Sequence, residues 1–191
     1  MSKPIPHPAE GSAITIEPFR SLEDVNAIRS VIRSPRDQAL FSLGVNSALR
    51  ATDLLSVRAS DFDWLNGVLR VKEGKTGKKR VVPIGPALQE LLLAILPLTP
   101  EGYLFPSTQG GKPLSISAWN NKIKAWARAA GIKGNFGART IRKTFARLQY
   151  EVFDIPIVDI SMELNHSSPR ETYLYIALPT PETAAIFRNQ I

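Results

Sequence analysis

The chain has 191 residues, of which 43% are hydrophobic, enough for one full core but not for two large domains. It has no cysteine and only two histidines, which excludes a disulfide framework, a thiolate metal site and the usual kinds of zinc site. We predict no metal and no cofactor. The formal net charge of +7 favours a polyanionic partner, since each cation that neutralises a phosphate releases a counterion, although an ordinary basic surface is the alternative.

The first residues do not have the pattern of a targeting segment. MSKPIPHPAEG lacks the apolar centre of a signal peptide, and no apolar run in the chain reaches the roughly 18 to 20 residues of a membrane span. We therefore predict a soluble cytoplasmic protein with no membrane partner. Four prolines in residues 1–18 and little apolar pattern predict an extended N-terminal arm.

Apolar residues at helical spacing begin after the arm. SLEDVNAIRSVI predicts a helix with Ser21 and Asp24 as a capping pair, and Ser34 and Pro35 predict the N-cap and first position of a second helix through DQALFSLGVNSAL. TDLLSV predicts a short third helix. GVLRVKEGKTGKKRVVPI has alternating apolar residues on both sides of a lysine and glycine turn, which is typical of a hairpin.

The rest of the chain is predicted to be mostly helical. PALQELLLAIL and SISAWNNKIKAWARAAG predict helices, the second with its tryptophans inward, and YLF between them predicts a short strand or loop. Further helices are predicted in TIRKTFARLQYEV, PIVDISMEL, PRETYLYIA and PETAAIF. The expected fold is therefore mainly α with a small antiparallel β-sheet, an α+β domain over residues 19–178, followed by a tail at 179–191.

Several cations do not fit a packing role. Arg139, Arg142 and Lys143 fall on adjacent parts of one helical face, which predicts either a functional basic face or an ordinary solvated one. Arg50 falls at a junction between apolar helices, where a guanidinium is costly unless an anion meets it, and a buried Asp53 or Asp61 is the alternative partner.

The hairpin turn is also basic, with Lys75 followed by Lys78, Lys79 and Arg80. Lysines are common in turns, so this cluster by itself indicates little.

Together these segments resemble the tyrosine recombinase, or phage integrase, family. The resemblance lies in the order ALRATDLLSVRASDFDW, GKTGKKRVVPI, RTIRKTF and ELNHSSPRETYLY, and covers roughly residues 20–178. Its most specific part is IRKTF followed by LNHSS and then a tyrosine nine residues after the histidine. It implies the recombinase catalytic-domain fold, double-stranded DNA as partner, self-association as a tetramer on paired sites and accessory DNA-bending or directionality proteins.

The resemblance also implies residue roles. Arg50 and Arg142 match the two family arginines that hold the scissile phosphate. Lys75 matches the hairpin lysine that protonates the departing 5′ hydroxyl, and His166 matches the histidine that bonds the phosphate or the nucleophile. Tyr175 falls at the nucleophile position, which implies a covalent 3′-phosphotyrosine.

The two tyrosines of TYLY cannot share one role. Residues 173 and 175 are about 200° apart around a helix, so they cannot both face the same site. Tyr175 has the family spacing, and we expect Tyr173 to pack or to face solvent.

Arg139 departs from the family, which usually has histidine at this position. Arginine has no acceptor and keeps its proton, so it cannot serve as the base for the tyrosine. Our hypothesis is that Arg139 supplies a third cation that stabilises the phenolate or phosphorane, while His166 or water accepts the proton. The alternative is a slowed or inactive site.

Both ends of the chain carry expectations from the resemblance. Many members have an N-terminal helical domain that closes a clamp on DNA, and only the proline-containing arm precedes the catalytic region here, as in a naturally short member or a fragment. DNA binding by this region alone should then be weaker and more sensitive to salt. The tail, with apolar Ile186 and Phe187, is expected to dock on a neighbouring protomer or on its own.

The predicted tryptophan helix offers polar residues for reading DNA in a groove, or for an ordinary solvated face. These are Asn120, Asn121, Lys122, Lys124 and Arg128. With the resemblance, Lys143 and the hairpin residues Lys78, Lys79 and Arg80 are also predicted to contact DNA. The predicted function is a site-specific recombinase that cuts and rejoins DNA by two transesterifications. The alternatives are a DNA-binding regulator that forms no covalent adduct and a type IB topoisomerase-like enzyme that relaxes supercoils.

Overall fold

Eight helices, a single 3₁₀ turn and three short strands make up the described part of the chain. The structure, a computed structural model, describes residues 15–97, 99 and 101–176. The helices are α1 (Leu22–Val31), α2 (Pro35–Ser47), α3 (Ala51–Leu55), α4 (Pro86–Leu93), α5 (Ile116–Ala129), α6 (Thr140–Glu151), α7 (Ile157–Leu164) and α8 (Pro169–Tyr175). The 3₁₀ turn is Ala59–Asp61, and the strands are β1 (Phe62–Asp63), β2 (Val68–Lys72) and β3 (Lys79–Pro83). The prediction of a mainly α fold with a small antiparallel sheet is confirmed.

Side-chain caps define where several helices begin. Ser21 accepts a hydrogen bond from the Asp24 amide at 3.2 Å, and Ser34 accepts one from the Asp37 amide at 3.5 Å, with Pro35 at the first helical position. The Asp24 carboxylate differs from the predicted pairing, because it accepts from the Arg20 amide instead of the Ser21 amide.

The sheet is a three-stranded antiparallel meander in the order β1-β2-β3. Leu69 pairs with Val82, and both side chains are buried, so the predicted hairpin attaches to the core through one face. Its turn carries Lys75. Of the strand or loop predicted at YLF, the structure has the loop, in which Tyr103 makes an isolated bridge to Arg58.

A single large core joins α1 to α6 and the sheet. Its centre holds Phe19, Phe41 and Trp119, with Trp126 packed edge-on against Phe41 and Trp119. A second, smaller cluster lies under α7 and α8 and includes Ala48, Ala146, Ile160, Leu164 and Ile176. This second cluster fixes α8 against α6 and α7, and α8 carries Tyr175.

The end of the predicted arm that the structure describes runs beside α6. Residues 15–20 form no helix or strand, and Phe19 is buried in the main core. The Glu17 amide donates to the Asn135 carbonyl at 2.8 Å, and the Glu17 carbonyl accepts from the Thr140 hydroxyl at 2.8 Å. The rest of the arm, the end of the predicted domain at 177–178, the predicted PETAAIF helix and the tail lie outside the described residues.

Candidate active site

One open cavity of about 500 Å³ contains the predicted catalytic set. Its lining includes all six of the residues proposed from the sequence: Arg50, Lys75, Arg139, Arg142, His166 and Tyr175. They come from four separate places in the fold, the α2–α3 junction, the hairpin turn, the start of α6 and the segment from the end of α7 through α8. Their roles in catalysis stay predictions, but the fold brings them to one place.

The two cavity arginines at the phosphate positions are held differently. Arg142 is buried, and its Nη2 donates to the Leu164 carbonyl at 2.7 Å. Its Nη1 is also buried and has no hydrogen-bond partner among the residues that the structure describes. A buried guanidinium with an unmet donor is costly unless an anion approaches, and burial lowers the pKa of Arg142 in the same sense.

Arg50 has an acidic partner that the sequence did not predict. Its Nη1 donates to Glu73 Oε2 at 2.6 Å, whereas the expected alternatives, Asp53 and Asp61, bind elsewhere. Asp53 accepts from the Gly74 amide at 3.0 Å, and Asp61 accepts from the Arg58 amide at 2.8 Å.

His166 and Tyr175 contact each other at the other side of the cavity. Their rings meet edge to face with centroids 4.9 Å apart. His166 Nδ1 shares a hydrogen bond with the Thr172 hydroxyl at 2.9 Å, and Thr172 is fully buried on α8. Sequence reasoning missed Thr172, although its position one helical turn before Ile176 places it on the buried face of a short helix.

The electrostatics of this pair favour a neutral histidine and a protonated tyrosine. Burial lowers the pKa of His166, and the charges of Arg142 and Arg50 add to that effect while Glu171 opposes it. Burial raises the pKa of Tyr175, and the charges of Arg142, Arg139 and Arg50 partly offset it. The phenol therefore needs a proton acceptor, and a neutral imidazole in ring contact can supply one.

Tyr173 lies away from the cavity. Its hydroxyl is 3.4 Å from the Tyr150 hydroxyl, and the two rings pack edge to face at 5.7 Å. The expectation that Tyr173 packs while Tyr175 faces the site agrees with this arrangement.

Lys143 is a correction to the predicted DNA contacts. The helical pattern placed it on an open basic face, but its side chain is buried and its Nζ donates to the Ile16 carbonyl at 2.7 Å. The same Nζ lies 5.2 Å from the centroid of the Tyr175 ring. The extended segment at residues 15–20 covers this part of α6, which periodicity within α6 alone could not reveal.

Arg80 and Lys122 form ion pairs within the fold, and their predicted DNA contacts stay predictions. Arg80 is largely buried and pairs with Glu73 and Glu163, and Lys122 donates to Asp37 at 2.6 Å. Asn120 also has an internal role, because its Oδ1 accepts from the Ala138 amide at 3.1 Å.

The other predicted DNA contacts lie on the surface. Lys79, Asn121, Lys124 and Arg128 are exposed, and Lys78 is exposed while donating to Asn165 Oδ1. Lys124 and Arg128 share a second cavity of about 500 Å³ with Lys133, which the sequence analysis did not single out. Lys133 follows α5 after the turn at Gly131, so no helical pattern connected it to the other two.

Comparisons with known proteins decide the family. Residues 21–180 match the phage integrase family. The chain belongs to this family. It is 33% identical over 176 residues to the probable integrase/recombinase YoeC of Bacillus subtilis (strain 168), covering 91% of this chain and 96% of that protein. It is 29% identical over 179 residues to the tyrosine recombinase XerC of Pseudomonas fluorescens, covering 91% of this chain and 59% of that protein.

Solved structures agree with the family in fold. The XerA recombinase superposes with a TM-score of 0.71 at 21% identity, over 93% of this chain and 67% of that one. The XerH recombinase bound to its difH substrate also gives 0.71, at 20% identity, over 93% of this chain and 54% of that one. The predicted family and its class of activity, DNA strand exchange by a tyrosine recombinase, are confirmed.

No helix within residues 15–97, 99 and 101–176 has both the length and the apolar character needed to cross a bilayer.

Proposed function

We propose that the cavity cuts and rejoins DNA through a 3′-phosphotyrosine on Tyr175. The observation that carries this proposal is the convergence of Arg50, Arg139, Arg142, Lys75, His166 and Tyr175 on one open cavity. Exchange of one phosphodiester for another keeps the bond energy, so the reaction needs positioning, charge stabilisation and proton transfer, and these residue types supply all three.

In the cleavage step, the Tyr175 oxygen attacks phosphorus, and the bond from phosphorus to the 5′ oxygen breaks. Arg50 and Arg142 hold the non-bridging oxygens, and the buried unpaired Nη1 of Arg142 gains its missing partner there. His166 takes the phenol proton, and Lys75 gives a proton to the departing 5′ oxygen, which leaves as a hydroxyl. A 5′ hydroxyl of the partner strand then reverses the chemistry and frees Tyr175.

Arg139 contributes charge and not proton transfer in this scheme. It is exposed at the N-terminal end of α6, and its charge acts on the Tyr175 phenol. Because it keeps its proton, it can stabilise the developing phenolate or phosphorane throughout the reaction.

The polar side of α5 is the proposed DNA interface. Asn121 and Lys124 are exposed there, and Arg128 and Lys133 extend the basic surface past the end of the helix. Asparagine can bond base edges in the major groove, while the cations are suited to phosphates. The Tn1549 transposon integrase, which is similar to this chain in fold, was solved in complex with a circular intermediate DNA, and this supports double-stranded DNA as the partner.

Self-association on paired sites is the finer part of the proposal. Helix α7 exposes Val158 and Met162, one helical turn apart, and α8, which packs on α7, exposes Leu174. These exposed apolar side chains could bind an apolar segment, such as the tail at 179–191 of the same or a neighbouring protomer. Accessory proteins and a cytoplasmic location remain predictions from the sequence.

The test is covalent trapping. A library of nicked duplexes with randomised flanks, from which the cleaved end diffuses away, is incubated with wild type, Tyr173→Phe and Tyr175→Phe and scored for SDS-resistant adducts. Adducts in wild type and Tyr173→Phe that disappear in Tyr175→Phe are expected, and sequencing the trapped DNA gives the site. DNA binding without adducts in any of the three would instead favour a binding-only regulator.

A further inference from the structure

Glu73 is a buried carboxylate at the point where β2 enters the hairpin turn. Only 1% of its surface is exposed, a position at which a carboxylate is costly unless it is paired and hydrogen-bonded. Its Oε2 accepts from Arg50 Nη1 at 2.6 Å and from the Thr76 hydroxyl at 2.7 Å, and its Oε1 accepts from Arg80 Nη1 at 3.5 Å. One side chain therefore connects a cavity arginine to the turn that carries Lys75.

The connection continues from Arg80 into the rest of the fold. Arg80 donates to the carbonyls of Ser47 and Ala48, each at 3.4 Å, and pairs with Glu163 on α7. The end of α2, the hairpin and α7 thus meet through Glu73 and Arg80. Since Glu73 does not itself line the cavity, it acts on the reaction through Arg50 and the turn.

We propose that Glu73 is a positioning residue that aims Arg50 at the scissile phosphate and holds the hairpin so that Lys75 stays at the cavity. The inference rests on the proposed function, because it assigns Glu73 a part in the same cleavage step. Burial by itself raises the pKa of Glu73, but hydrogen bonds from Thr76 and Arg50 and the nearby arginine charges outweigh it, so the carboxylate stays ionised. The fixed charge also pre-orients Arg50 before DNA arrives.

The experiment compares two glutamates that share Arg80. Glu73→Gln and Glu163→Gln each remove one negative charge with little change in shape, but Glu163 is more than half exposed and only Glu73 contacts Arg50. Single-turnover cleavage is measured at saturating protein on a nicked duplex with the sequence recovered by trapping. The Kd for this DNA is measured separately. Glu73→Gln should slow cleavage about 10²-fold, the cost of a misplaced reacting group, with Kd little changed. Glu163→Gln should stay close to wild type.

Two further variants separate position from charge. Glu73→Asp keeps the charge but shortens the side chain, so it should also be slow if reach matters. Thr76→Val removes one donor to Glu73 and leaves no unpaired buried charge, so it should slow cleavage in the same sense while folding normally. Full cleavage activity in both single variants, Glu73→Asp and Thr76→Val, would overturn the positioning role.

A double-mutant cycle tests the route through Arg50. On an Arg50→Lys background, Glu73→Gln should cost much less than it does in wild type, because the interaction it removes is already disrupted. The proposal would be overturned if the losses in cleavage rate from the two substitutions simply add. It would also be overturned if Glu73→Gln alone cleaved faster than wild type, because Glu73 would then withhold Arg50 from the phosphate. Absence of adducts in wild type would instead reject the proposed function, so the two failures are distinguishable.

Discussion

Arg139 lies in the cavity at a position where the family resemblance implied histidine. Its permanent charge opposes the effect of burial on the pKa of Tyr175. We expect Arg139→His to cleave about tenfold more slowly at pH 7.5, since a largely neutral imidazole gives up a fixed charge at the reacting atoms. Arg139→Lys, which keeps the charge, should be less impaired. The measurement is single-turnover adduct formation, and faster cleavage by Arg139→His would indicate a degraded site.

His166 should titrate below the ordinary histidine value of 6.5, because burial favours the neutral ring. NMR titration of a His7→Gln variant leaves His166 as the single histidine and measures this pKa directly in the free protein. Replacing Thr172 with valine tests whether the hydroxyl bonded to Nδ1 fixes the tautomer. A value above 6.5 would contradict the assignment of a neutral proton acceptor.

The same shift predicts how stability depends on pH. Between 6.5 and the lower native pKa, the unfolded chain binds a proton that native His166 does not. The free energy of unfolding should therefore fall as the pH drops through that window, and His166→Gln should remove this part of the dependence. Urea unfolding at pH 7.5 and pH 5.5 measures this dependence. An equal change in the free energy of unfolding between the two pH values in wild type and variant would contradict the prediction.

The spacing of residues along the sequence indicated which side chains line the cavity, but not which residues hold those side chains in place. Arg50, Arg142, His166 and Tyr175 could be found because the family fixes their order along the chain. Glu73 could not, since it meets Arg50 across 23 residues of sequence and only the folded hairpin brings them together. Lys143 was predicted on an open face because the segment that covers it, at Ile16, is 127 residues away in the sequence.

The contact between helices α2 and α6 depends on Gly44. A Cβ there would lie 2.7 Å from Cγ2 of Ile141 and 3.2 Å from Cδ2 of Leu54. Alanine normally improves a helix over glycine, but here we expect Gly44→Ala to lower the free energy of unfolding by about 1–3 kcal/mol through overpacking. Gly85→Ser, at an N-cap with open space, is the matched control and should be neutral or slightly stabilising. Urea denaturation compares them, and a stabilised Gly44→Ala would contradict the close approach.

Among the elements, periodicity and caps located the helices with small differences at their ends. The β1 strand was missed because two residues are too few to show alternation. Helix α4 ends at Leu93, before the predicted LAIL end, since the apolar run continues after the helical hydrogen bonds stop. Long amphipathic segments are therefore predictable from sequence, while short pairings that depend on a neighbouring strand are not.

The charge of the whole molecule predicts how it holds DNA. With a net charge of +7, the DNA association constant should fall steeply with salt. Replacing Lys124, Arg128 or Lys133 with alanine should each reduce the slope of log K against log salt by about one, if each contacts a phosphate. Arg70→Ala is the control, because Arg70 is already paired with Asp63. An unchanged slope in all three variants would place the DNA on another face.

The aromatic core gives α5 an optical property of its own. Trp119 and Trp126 lie on its inner side, and Lys122 holds its ammonium 5.9 Å from the Trp126 ring. Trp64, the remaining indole, stacks on Phe62 in the sheet region. DNA bound along the outer side of α5 would change the electric field at Trp126, which lies on this helix, more than at Trp64, which lies in the sheet region. Intrinsic fluorescence of the unlabelled protein can therefore follow DNA docking in real time, before any bond is cut.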